Sequence, residues 1–113
     1  MRPTLYIGRE RPGLALFWLT TTDTPVDLTA GGPWSYAVTL EQGGVIATFV
    51  GASVVANASP TTDTGSAADV ATLSMSFSAG SLDSLTAGLA VLRVAATSAG
   101  LDRLGVWDIE VRS

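Results

Sequence analysis

Ten carboxylates, six arginines and many serine and threonine hydroxyls are what this 113-residue chain can bring to chemistry. It has no histidine and no cysteine, and because all six basic residues are arginine it has no lysine. The usual bases and covalent nucleophiles are therefore missing, and no hydroxyl has a histidine or lysine to activate it. A carboxylate pair of the glycosidase kind is the arrangement still open. Asp108 and Glu110 fall on one face of an alternating stretch, while Asp83 and Asp102 fall in turn-like sequence. Each reads as a solvated surface charge or a cap. The segment "TAGGPW" lacks the lysine and the helix of a phosphate loop. No loop has the dense acidic spacing that calcium ligands need, and thiolate zinc and iron–sulfur sites are excluded. The expectation is a protein that is not an enzyme and takes no cofactor.

The net charge is −4, and the arginines are scattered at Arg2, Arg9, Arg11, Arg93, Arg103 and Arg112. No basic stripe runs along any one element, so phosphate neutralisation on nucleic acid is not supported. Arg2, Arg9 and Arg11 form a loose trio that reads as a solvated or interfacial end. Only 14% of the residues are charged, against about a quarter in ordinary soluble domains. A surface that poor in charge points to a partner covering part of it.

Three tryptophans raise the question of a sugar platform. Trp34 and Trp107 run in step with aliphatic residues and read as core, whereas Trp18 sits in "LALFWLT", apolar on both faces. A carbohydrate- or cell-surface-binding module is an alternative that needs exposed, coplanar rings.

The elements that would position these groups are strands. Period-two alternation places Trp34, Tyr36, Val38 and Leu40 on one side of "WSYAVTLE". It does the same for Leu73, Met75 and Phe77, and for Trp107, Ile109 and Val111. "LALFWLT", "VIATFV", "ASVVA" and "LAVLRVAAT" are apolar on both faces and need cover on both. The charge-free run from Gln42 to Thr62 is broken by Gly43, Gly44, Gly51, Asn57 and Pro60. Its apolar part is shorter than the roughly 20 residues of a membrane span, so it reads as two buried strands, with no membrane role. "MRPTLYIGRERPG" shows neither an apolar signal core nor a small-residue cleavage site. "SLDSLTAG" offers one or two helical turns, and "SAAD" resembles a capping box or a single turn.

These signals give an all-β fold. The expectation is an immunoglobulin-like antiparallel β-sandwich of about seven strands with at most one or two short helical turns; a small barrel is the alternative. One domain of this length buries about two thirds of its unfolded surface. Residues 1–13 read as an N-terminal segment and 14–113 as the sandwich, with a long polar loop at 57–71. Loops of that length tend to be functional. Asn57-Ala58-Ser59 matches a glycosylation pattern that is common by chance.

"DTPVDLTAGGPW", from Asp23 to Trp34, reads as a turn that re-enters the core. Pro25 fixes φ, and Val26 and Leu28 share an inward direction. Asp27 bonds local amides, and Gly31 and Gly32 permit positive φ before the next strand. Asp27, Leu28, Gly31 and Gly32 are thus structural turn residues.

The order of "pVDLT", a following glycine and an alternating strand resembles small immunoglobulin-like domains of tailed-bacteriophage structural proteins. "SLDSLTAG" and "GVWDIEV" follow in the places such domains fill with a turn and a closing strand. The resemblance spans Leu14 to Val111. It departs in the long loop from Asn57 to Asp69 and in "TSAGLDRLG", which reads as extra turn residues. It implies a virion protein, either a head decoration, cementing or accessory capsid protein or a tail or baseplate component. Its partners would be major capsid or tail subunits, bound in many copies or as a homo-oligomer. Two contact regions are expected: the N-terminal segment, with Arg2, Pro3, Leu5, Arg9 and Arg11, and the polar loop, with Thr61, Thr62 and Asp63. Trp18 is the further interface candidate.

Overall fold

The computed structural model describes residues 3–7, 13–29, 31–48, 53–63, 68–77 and 82–112. Eight strands follow in order: β1 (Thr4–Tyr6), β2 (Gly13–Leu16), β3 (Ser35–Gln42), β4 (Val45–Thr48), β5 (Ser53–Ala56), β6 (Leu73–Ser76), β7 (Gly88–Ser98) and β8 (Leu101–Arg112). They form a five-stranded sheet in the order β1-β8-β7-β3-β4 and a three-stranded sheet in the order β2-β6-β5. Among the described residues there is no helix. The fold is all-β, with the two sheets contributing to one hydrophobic core.

Alternation decides which side chains enter that core. Val38 and Leu40 of β3 point in, as do Leu92, Val94 and Ala96 of β7 and Ile109 and Val111 of β8. The smaller sheet answers with Leu14 and Leu16 of β2 and Leu73 and Met75 of β6, and Phe77 follows on the same face. Each fully buried leucine or phenylalanine stabilises the fold by about 1.5–3 kcal/mol relative to exposure.

The longest element is the β7–β8 hairpin, paired in register from Gly88↔Val111 to Ser98↔Leu101. This corrects the reading of "TSAGLDRLG" as inserted turn residues. The turn is only Ala99-Gly100, with Gly100 at a φ of 84°, and Leu101 to Leu104 are already strand. Hydrophobic alternation is masked there because the hairpin's end projects past the core, leaving both faces exposed.

Of the expected N-terminal segment 1–13, residues 3–7 and Gly13 are among the described residues. Thr4–Tyr6 runs parallel to β8, with Leu5 opposite Val111, and Leu5 is 0% exposed. The Pro3 carbonyl accepts the Glu110 N–H at 2.9 Å, and the Ile7 N–H donates to the Arg112 carbonyl at 2.8 Å. Among the described strands this pair is parallel.

The charge-free run forms β4 and β5, end strands of opposite sheets. They are not buried on both faces. Val45, Ile46 and Val55 are at least half exposed, because an end strand has a neighbour on one side only. "SLDSLTAG" gives one hydrogen-bonded turn, with the Leu85 N–H on the Leu82 carbonyl at 3.0 Å. Leu82 and Leu85 plug the core from it. The first two residues of "SAAD", Ser66 and Ala67, lie outside the described residues.

Candidate interaction surfaces

The turn from Asp23 to Trp34 positions its neighbours through backbone bonds. The Val26 N–H donates to the Trp18 carbonyl at 2.8 Å and the Thr20 N–H to the Thr24 carbonyl at 2.9 Å. Val26 and Leu28 point into the core, with Leu28 3% exposed. Asp27 accepts from the hydroxyl of Thr29 and from its N–H at 2.9 Å. Those two bonds, with a further one from the Ser59 backbone, hold the Asp27 carboxyl below its ordinary value. Gly31 has a φ of 73°, whereas Gly32 precedes Pro33 in a cis peptide bond without positive φ. The Gly31 carbonyl accepts the Ser98 hydroxyl at 2.6 Å.

Trp18 and Trp107 meet edge to face, with centroids 5.3 Å apart and planes at 86°. Their space exists because position 105 has no side chain: a Cβ there would lie 2.6 Å from Cζ3 of Trp107. The Trp107 indole N–H donates to the Phe17 carbonyl at 3.3 Å. The Trp18 N–H donates to the fully buried Thr72 Oγ1 at 3.1 Å. Trp18 is 9% exposed, so little of its ring is on offer to a partner. Leu5 likewise belongs to the core.

The polar loop is braced across its two limbs. Asn57 Nδ2 donates to the Ala71 carbonyl and to Ser74 Oγ, each at 3.0 Å. The side-chain amide of the glycosylation pattern is thus already engaged. The Thr61 N–H reaches the Val70 carbonyl at 2.9 Å, and the Val70 N–H returns to Thr61 Oγ1 at 2.9 Å.

This bracing carries Thr62 and Asp63 to the rim of an open cleft of about 530 Å³. Pro3 and Thr4 also line it, and Trp107, Phe17 and Leu19 add apolar lining. Both Leu14 and Ala15 of β2 also touch it. Leu14 faces the core and Ala15 faces out, so the cleft runs along the backbone edge of β2 rather than over one face of it. β2 ends its sheet and pairs only with β6 among the described strands. Of the expected interface residues, Pro3, Thr62 and Asp63 come together here. Thr61 is spent on bracing the loop, and Arg2, Arg9 and Arg11 lie outside the described residues.

A second surface was not legible in the sequence as a unit. The outward side of the five-stranded sheet carries Leu104 and Val106 of β8, Leu89 and Val91 of β7, and Ile46 of β4. Leu104, Leu89 and Ile46 are 64%, 61% and 65% exposed. At its middle Arg93 Nη1 meets Glu41 Oε2 at 3.1 Å, both side chains well exposed to solvent. Glu110 is tied to Arg112 at 3.0 Å. The need for outer cover at Leu89 and Val91 was readable from two-sided apolarity. Leu104 was hidden by the turn reading of its segment, whereas Val106 fell in the closing strand "GVWDIEV".

Among the described residues no group of three acidic side chains converges to hold a metal ion, and no helix is long and apolar enough to cross a membrane. Comparison of the chain with protein-family models, with curated proteins and with solved structures finds no match.

Proposed function

We propose that this protein is a non-enzymatic structural component of a tailed-bacteriophage virion, built on an immunoglobulin-like sandwich. It acts as a head decoration, cementing or accessory capsid protein that binds other capsid subunits in many copies. The observation that carries this reading is the cleft along β2. Two chain-distant segments, at Pro3–Thr4 and Thr62–Asp63, flank a strand edge with an apolar floor. An unpaired edge beside apolar side chains is the arrangement that accepts an extended segment of another protein. Main-chain bonds then supply affinity, and alternate side chains enter the floor. Low charge across the chain favours such burial.

The saccharide-binding alternative requires coplanar exposed rings. Trp18 is buried and stands perpendicular to Trp107, so these two rings form no coplanar platform, while Trp34 and Trp107 are partly buried.

Binding to purified capsid shells of the encoding phage tests the reading. Removing residues 1–11 is the wrong variant, because it deletes β1 and the core residue Leu5. Ala15→Arg and Leu19→Glu, both at exposed positions in the cleft, should lower occupancy at least about tenfold while folding is retained. Unchanged occupancy for both variants would remove the cleft as the docking site.

A further inference from the structure

The outward face of the five-stranded sheet is explained neither by the core nor by the cleft. Its strand register makes it one continuous patch. Leu104 lies opposite Ala95, Val106 opposite Arg93 and Val91 opposite Asp108, while β3 continues the rows with Ala37 opposite Ala95 and Glu41 opposite Val91. Ile46 of β4 lies opposite Glu41. Single exposed leucines are ordinary, but Leu104, Val106, Leu89 and Ile46 exposed and Val91 half-buried on one sheet face, interleaved with Arg93, Glu41, Thr39 and Asp108, make it a candidate interaction surface.

We infer that this face pairs two copies of the chain across a two-fold axis running along the β7–β8 seam. Three observations single out a second copy as the occupant. The first is area. With strands about 4.8 Å apart and about 3.4 Å per residue, the face projects on the order of 700 Å² before side-chain relief is counted, close to the roughly 800 Å² each partner buries in a standard interface.

The second is shape. Leu104 and Val106 stand proud beside low ground at Ala37 and Ala95 and a shallow depression of about 480 Å³ at Val91. The proposed axis lays β7 of one copy over β8 of the other, so Leu104 meets Ala95 of the second copy. Such a self-apposed patch is the isologous geometry of closed dimers, with aligned sheets packed about 10 Å apart.

The third is charge. The chain carries −4 overall, yet the middle of this face is neutral because Arg93 and Glu41 are paired. Asp108 makes no ion pair with a described residue, and the same axis sets Arg93 of the second copy over Val106, one outward position along β8 from Asp108.

This pairing does not depend on the cleft, and the two fail separately. Light scattering after size-exclusion chromatography of the full chain should give twice the 11.6 kDa chain mass, with a dissociation constant at or below about 10 μM. Leu104→Arg and Val106→Glu should each weaken dimerisation at least about tenfold while the unfolding midpoint of the monomer holds. Leu104→Ser, which adds no charge, should weaken it in the same direction. Ser84→Arg, off the face, should leave the dimer intact. A wild-type chain that stays at monomer mass up to about 100 μM would overturn the inference, even if another protein then covers the face. So would a dimer that all three face variants leave unchanged. Loss of shell binding by the cleft variants with the dimer intact, or the reverse, tells the two surfaces apart.

Discussion

Gly105 and Trp107, two residues apart on β8, share one volume. A Cβ on Gly105 would stand 2.6 Å from Cζ3 of Trp107 and 3.1 Å from Cε2 of Trp18. The missing side chain lets the perpendicular indole pair close the end of the core next to the cleft.

Gly105→Ala should therefore destabilise the fold. The neighbour is a rigid ring held by its bond to the Phe17 carbonyl, so relief requires moving both indoles. Overpacking of this kind costs about 1–3 kcal/mol, read as a lower denaturant midpoint. The near-ultraviolet circular dichroism of the tryptophan pair should change with it. An unchanged midpoint and spectrum would mean that the rings move freely.

Thr72→Val removes, with little change of volume, the Thr72 hydroxyl that accepts the Trp18 N–H and donates a long 3.5 Å bond to the Trp18 carbonyl, which keeps its bond from the Val26 N–H. It strips the Trp18 N–H of its buried acceptor. An unsatisfied buried donor costs about 1–3 kcal/mol, so the unfolding free energy should fall by that much. Water reaching the Trp18 amide would instead show as a near-zero change and faster exchange of that amide.

Leu28→Ala removes the anchor of the turn. Leu28 is 3% exposed and belongs to the main core cluster, so the loss should be about 2–5 kcal/mol. A loss well under 1 kcal/mol, by the same scale, would show that the turn sits on the core without filling it.

Asp27 should titrate below its ordinary value of 3.8, because the Thr29 hydroxyl, the Thr29 N–H and the Ser59 backbone all favour the charged form. A folded-state value below the unfolded one contributes stability that is fully present above the unfolded value. It is lost as pH falls through the folded one. Carbon NMR of the carboxyl checks the titration. Asp27→Asn should flatten the part of the acid-unfolding slope that lies below the ordinary carboxylate value. An Asp27 titration at or above 3.8 contradicts the account.

Sequence legibility followed burial. Where one face meets the core, as in Val38 and Leu40 or Leu73, Met75 and Phe77, alternation identified the strand and its inward side. The turn at Asp27 was readable because Asx and Thr chemistry is local. Three things were not. The Thr4–Tyr6 strand is three residues long and takes its place from β8, over a hundred residues away. The far end of the hairpin, from Leu101 to Leu104, projects beyond the core and so carries no one-sided pattern. The need for glycine at position 105 depends on where two indoles meet, which no local sequence states. The cleft was half legible: both segments that line it were expected to make contacts, but their meeting along β2 is a property of the tertiary fold.

The central claim is that this chain works as a counted part of a particle. Quantitative mass spectrometry of gradient-purified virions of the encoding phage, with heads and tails separated, tests it most directly. The chain should appear in the head fraction, in many copies relative to the major capsid protein and retained through washing. Its absence from purified particles while it is abundant in the infected lysate would contradict the account, and its recovery with tails alone would contradict the assignment to the head.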